Sequence, residues 1–197
     1  MIKVTPKFTE KEITDIRGKL KEAAQRCASS MGMRKTTVDD LCDHAHISKG
    51  AFYKFYDSKE ALFFEILEDW HTKIYGNALE ILTCSQGASD KERVREALLY
   101  ACQSLDKYSM LGFYENDVPL LLRKMPQDLL DAHYHSDEKH IADLIVASGI
   151  KLKVTPDVAA AAVRTLILSF SDRAHVGPLY HQVMELFVES VCERIVF

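Results

Sequence analysis

Apolar residues recur along most of the chain at three- and four-residue intervals, the spacing that keeps one face of an α-helix against a core. The first such run is Ile13, Ile16, Leu20, Ala23, Ala24, Cys27 and Met31. Thr9 and Glu12 precede it at capping-box spacing, and Gly32 follows where a left-handed residue would end it. Shorter segments come next. Thr37 can cap VDDLCDHA, and Ser48 can cap KGAFYKFY. Asp57 or Ser58 can cap a longer helix that opens KEALFFEILEDW and runs to about Leu82. After a polar loop at 85–90, the pattern predicts a helix over about 90–108 and then an irregular region with Gly112 and Pro119. Three further helices are predicted: Pro126 to near Gly149, Thr155-Pro156 to about Ala174, and one from beyond Gly177-Pro178 to the C-terminus. Sustained period-two alternation and Asn-Gly or Asp-Gly hairpin signals are missing. The expected fold class is all-α.

Composition changes this picture little. Of 197 residues, 47% are hydrophobic and 27% charged, which suits a globular protein rather than a disordered one. No apolar run approaches the roughly 18 residues of a membrane span, and the opening MIKVTPKFTEKE has no apolar secretory core, so a cytoplasmic location without membrane contact is expected. Five dispersed cysteines form no CxxC pair, which argues against a disulfide framework or a zinc knuckle. Charge adds more. The net value is −4, but residues 1–60 hold 12 Lys and Arg against 9 Asp and Glu, whereas residues 61–197 hold 13 against 20. A basic N-terminal third on an acidic body places any phosphate contact in the former.

Residues 37–56 fit a helix-turn-helix. Val38, Leu41 and Ala45 give its first helix an apolar face, Ile47 plugs the turn, and Ala51 and Phe52 let the second helix pack closely. Ser48, Lys49, Gly50, Tyr53 and Lys54 are left available near the start of the second helix, where amide dipoles and small residues suit a DNA groove.

The pattern Gly32, Thr36-Thr37, Leu41, Ile47 and then SKGAFYKFYDSKEAL over 48–62 closely resembles the TetR/AcrR family of bacterial transcriptional regulators. Motif-level resemblance covers about residues 9–65. It departs at His44-Ala45-His46-Ile47, where the family has small residues and a glycine before the plug, at Cys42, more often alanine, and at Phe55, more often a polar aromatic. The resemblance implies a helix-turn-helix DNA-binding domain at 1–57 and a helical ligand-binding and dimerisation domain at 58–197. It implies a homodimer on a palindromic double-stranded operator, with repression the preferred sign and release by an unidentified small molecule. By matching position, Thr37 lies near phosphate, Lys49, Gly50 and Ala51 face base edges, and Tyr53, Phe55 and Lys59 follow the DNA backbone. Surface packing of Tyr53 and solvation of Lys49 and Lys54 are the plain alternatives. Phe52, Leu62 and Phe63 are expected in the core.

In the C-terminal body, Trp70, Tyr100, Tyr108, Phe113, Tyr114 and His133 are candidates to line the effector pocket that the resemblance implies, ordinary packing being the alternative. His133 and His135 point to different faces of one helix, and His140 lies seven residues beyond His133, so no metal site and no cofactor are expected, and these histidines are read as lining a solvated surface or an edge of the pocket. Cys84, Cys102 and Cys192 read as small buried fillers rather than thiol sensors. Val158, Ala161, Ala162, Thr165, Leu166 and Ser169, with Leu179, Val183, Leu186, Phe187, Ser190 and Val191, give the last two helices broad apolar faces suited to a dimer interface. GxSxG, P-loop, HExxH and GxGxxG elements are absent, so an enzyme is not expected; a helical interaction module or helical enzyme without DNA binding remains the alternative.

Overall fold

A computed structural model describes residues 8–84, 87–107, 110–169 and 173–197. Among them the chain forms α1 (Glu10–Ser30), α2 (Val38–Ala45), α3 (Lys49–Phe52), α4 (Lys59–Cys84), α5 (Asp90–Lys107), α6 (Leu111–Asn116), α7 (Val118–Leu122), α8 (Gln127–Ser148), α9 (Pro156–Leu168), α10 (Arg173–Val176) and α11 (Tyr180–Ile195). The all-α class holds; an isolated antiparallel bridge joins Leu152 to Val196. None of the described helices is long and apolar enough to cross a membrane. The chain divides into two compact units, one reaching to Leu67 and the other spanning Glu68–Phe197.

In the N-terminal unit the expected caps form. Thr9 and Glu12 close a capping box on α1, and both Met31 and Gly32 donate backward to the Cys27 carbonyl as Gly32 enters the left-handed region at φ 81°. Leu20, Ala23, Ala24, Leu41, Ala45, Phe52, Leu62, Phe63 and Ile66 are buried, so the three residues assigned to the core lie in it. Met31, the last member of the α1 stripe, is exposed.

The C-terminal unit packs α8 against α9 and α11 against α5 and α9. Ala78, Leu82, Ala97, Ile150, Ala159, Ile195 and Val196 form a buried cluster in it. Two expectations change. The region with Gly112 and Pro119 is helical, split into α6 and α7, because Pro119 occupies the first turn of α7, where its missing N–H costs nothing. The helix from Pro156 ends at Leu168 rather than near Ala174; the Ser169 hydroxyl donates to the Leu166 carbonyl at 2.6 Å, a local bond that competes with helix continuation. Cys192 is buried, as expected, but Cys84 is exposed at the end of α4 and Cys102 only half-buried. Burial pushes the Cys102 thiol up to about 12, which makes it unreactive.

The last helix divides its apolar residues between two faces. Tyr180, Met184, Val188, Cys192 and Ile195 are buried, whereas Leu186 and Phe187, with Leu179 just before the helix, are more than half exposed. On α9, Val158 and Leu168 are exposed and Ala159, Ala160 and Leu166 buried, so Leu166 belongs to the core rather than to the open stripe.

Candidate nucleic-acid interface and effector region

The turn that presents α3 is held by local hydrogen bonds. Thr37 caps α2: its hydroxyl donates to Asp40 Oδ2 at 2.7 Å and accepts from the Asp40 N–H at 3.1 Å, while its own N–H donates to the same carboxylate at 2.8 Å. These bonds, side chain first, hold the Asp40 carboxyl below the usual range. α2 ends at His46, which adopts φ 56° and ψ 45°, a left-handed conformation. Ile47 then donates to the Cys42 carbonyl, and Ser48 caps α3 by accepting from the Ala51 N–H at 3.2 Å. Phe52 is fully buried and anchors α3 from beneath.

Ser48, Lys49, Gly50, Tyr53 and Lys54 are exposed and Ala51 is half-buried. Lys49 and Tyr53, four apart, lie on one side. The Lys49 ammonium sits 3.1 Å from Asp39 Oδ2 in an exposed pair, which solvent screens and which is readily exchanged for another anion. Lys54 lies over the Phe8 ring at 5.2 Å, and Phe55 packs against the same ring with centroids 5.5 Å apart.

Two residues expected on the DNA backbone are placed otherwise. Phe55 is half-buried against Phe8 and has no donor to offer. Lys59 turns back to the segment before α2, where its ammonium donates to the carbonyls of Met33 at 2.8 Å, Thr36 at 2.5 Å and Arg34 at 3.4 Å. An ammonium has three donors, and these three carbonyls use them. Lys59 is thus a clamp on the turn. Conversely, Arg34 and Lys35 are exposed on that turn, immediately before Thr37; the paired positive charge beside the cap was the signal available in the sequence.

The C-terminal candidates do not converge on one pocket. Trp70 and Tyr114 are buried against each other, centroids 5.6 Å apart. Phe113 is core. Tyr100 accepts from Asn77 Nδ2 at 2.6 Å. Tyr108 lies outside the described residues. His133 enters a polar cluster missed by reading α8 alone: its Nδ1 bonds Glu68 of α4, its ring stacks on His71 at 5.3 Å, and its Nε2 lies 3.6 Å from Asp137. Asp137 Oδ1 accepts from Tyr75 at 2.9 Å and faces His71 Nδ1 at 3.4 Å. Burial works against the His133 imidazolium, but the Glu68 bond and the charges of Asp137 and Glu68 outweigh it and hold its pKa above the ordinary value. Burial likewise opposes the Asp137 carboxylate, yet bonding to His71, the charges of His71 and His133, and the Tyr75 bond hold its pKa below the usual range.

A separate cavity of about 80 Å³ has apolar walls, with Ile74, Ala78, Leu98, Ile141, Leu144, Ile167 and Tyr75 among its lining residues. None of the five candidates among the described residues, Trp70, Tyr100, Phe113, Tyr114 and His133, lines it.

Residues 20–66 match the family described as bacterial regulatory proteins, tetR family. The chain is 28% identical over 107 residues to the HTH-type transcriptional repressor KstR2 of Rhodococcus jostii, a match covering 54% of this chain and 52% of that protein. It is 34% identical over 79 residues to the uncharacterized HTH-type transcriptional regulator YuxN of Bacillus subtilis, covering 40% and 27%. The chain thus spans about half, or less, of the length of these two relatives. A TetR-family transcriptional regulator of Pectobacterium atrosepticum superposes with a TM-score of 0.71 at 16% identity, over 93% of this chain and 94% of that one. NalD of Pseudomonas aeruginosa, described as the secondary repressor of the MexAB-OprM multidrug efflux pump, gives 0.61 at 20% identity, over 93% and 98%.

Proposed function

Because the chain belongs to the TetR family of bacterial regulatory proteins, we propose that it is a DNA-binding transcriptional regulator, acting as a repressor that a small molecule releases from a palindromic operator. The observation that carries this is the exposed set Ser48, Lys49, Gly50, Tyr53 and Lys54, held on α3 by a buried Phe52 and a turn fixed on both sides. Lys49 exchanges Asp39 for a base edge, the absence of a side chain at Gly50 permits close approach, and Tyr53 and Lys54 meet phosphate. Arg34 and Lys35 take the phosphate role assigned above to Lys59.

The active species is a homodimer. The doubled apolar surface of α11 supports this: one face is spent on the unit's own core, and Leu186 and Phe187 remain exposed on the other, with Leu179 exposed just before the helix. The effector is apolar, because the cavity beside Tyr75 offers no polar wall to orient a charged group. At about 80 Å³ it is far below the roughly 300 Å³ and upward of ordinary ligand sites, so the effector binds by parting the helices that line it. Such a ligand must bind the DNA-incompetent form more tightly than the competent one.

Selection of random duplex DNA on the purified chain at two salt concentrations tests the reading. The expected result is a two-fold symmetric consensus whose affinity falls steeply with salt. A folded protein that enriches no sequence refutes it and favours the helical interaction module.

A further inference from the structure

We propose that Glu68, His71 and His133 form a binding site for a divalent transition metal of the zinc type, with Asp137 and Tyr75 as its supporting residues. Glu68 and His71 stand three apart on α4, and His133 and Asp137 four apart on α8, both spacings that place side chains on one helix face. The two pairs meet: ligand atoms of Glu68, His71 and His133 all lie within 4.8 Å of one another. Bonds of about 2.0–2.1 Å in a tetrahedral site put ligand atoms roughly 3.4 Å apart, so small side-chain rotations close the set around an ion. His133 already bonds Glu68, and the metal takes the place of the proton between them. The donor set of two imidazoles and a carboxylate favours zinc, cobalt or nickel over magnesium or calcium, which require mostly oxygen.

The surroundings have the form of a second layer of ligand support. Metal-bound histidines usually direct their other nitrogen to a carboxylate, which fixes ring orientation. Asp137 faces both rings, with Oδ1 3.4 Å from His71 Nδ1 and Oδ2 3.6 Å from His133 Nε2. Tyr75 donates to Asp137 at 2.9 Å and holds it there. Glu68 and Asp137 together supply the two negative charges that neutralise a dication in a half-buried place. Three protein ligands leave a fourth position for water or an anion.

The chain contains a single tryptophan, Trp70, and its ring lies 5.6 Å from that of His71, so its fluorescence reports on the site. The full-length protein, stripped with chelator, is titrated with zinc by calorimetry and by Trp70 emission, and with cobalt by visible absorption. The expected result is one ion per chain and a tetrahedral cobalt spectrum. His71→Ala and Glu68→Gln, checked for folding by circular dichroism, should weaken zinc binding at least about 100-fold, the upper end of what support-residue loss alone causes. His135→Ala, exposed on the opposite side of α8, should bind as the unaltered chain does. The proposal is overturned if the folded chain takes up no zinc, or if folded His71→Ala and Glu68→Gln bind it unchanged.

Discussion

Replacing Lys59 with Met separates a clamp on the turn from a contact to DNA. Methionine keeps the length and apolar stem but removes the charge. The bonds to Met33 and Thr36, at 2.8 and 2.5 Å, are partly buried, while the 3.4 Å bond to Arg34 is exposed. Charge-assisted bonds contribute about 1.5–3 kcal/mol each, so the two partly buried ones give a gross loss of roughly 3–6 kcal/mol. Two effects reduce it. Carbonyls at a surface turn regain water, and methionine escapes the ammonium's desolvation cost. The expected net loss is about 2 kcal/mol, or ~4–8 °C in Tm for a chain of this size. Urea unfolding followed by circular dichroism measures it. The same variant, assayed for DNA affinity across salt at a temperature where it is folded, should keep the slope of log K against log salt. Unchanged stability with a slope reduced by about one would refute the clamp and return Lys59 to the phosphate track.

His46→Gly should stabilise the chain by about 0.5–1 kcal/mol in the same unfolding assay, because a left-handed φ of 56° strains an L residue more than glycine's extra chain entropy offsets. The contribution of His133 should depend on pH with a definite sign. Its pKa is raised on folding from about 6.5, so its stabilisation is full below that value and lost as pH rises through the folded value. The Tm gap between the unaltered chain and His133→Gln should therefore shrink from pH 6 toward alkaline pH, and a gap that widens contradicts the reading. Asp137, with a lowered pKa, runs the other way: its share is present above about 3.8 and lost on acidification through the folded value. Leu186→Asp with Phe187→Glu should leave a folded monomer by sedimentation, since both side chains are more than half exposed in one chain; a persistent dimer would place the interface elsewhere.

The N-terminal unit was largely legible in the sequence because its signals are local. A capping box spans four residues, and the caps at Thr9, Thr37 and Ser48 all form where those residues stand. The left-handed turn fell on His46 because the helix before it and the Ser48 cap after it leave no other place. Lys59 was not legible for the opposite reason. A lysine in the first turn of a helix has several donors and a long stem, and whether it reaches outward or back depends on carbonyls 23 to 26 residues earlier. Proline misled at residue 119 because the same residue breaks a helix interior and opens a helix, and periodicity alone does not say which.

The polar cluster of the C-terminal unit shows what one-helix reasoning leaves out. On α8 alone, His133 and His140 are seven apart and His135 faces away, a poor set for any ion. The residues that complete the group, Glu68 and His71, lie about 65 positions earlier, and neither is distinctive there. What joins them is the register of α4 on α8: the ring stack of His71 on His133, the Glu68 bond, and, one turn further along α4 and two turns further along α8, the stack of Tyr75 on His140 at 5.1 Å. That register also gives Tyr75 two roles: its hydroxyl donates to Asp137, and the residue is among those that line the apolar cavity. A ligand that moved Tyr75 would withdraw a donor from Asp137, and an ion that drew in Glu68, His71 and His133 would tighten the same carboxylate. Zinc and an apolar effector are therefore expected to alter each other's affinity, in equal measure by linkage.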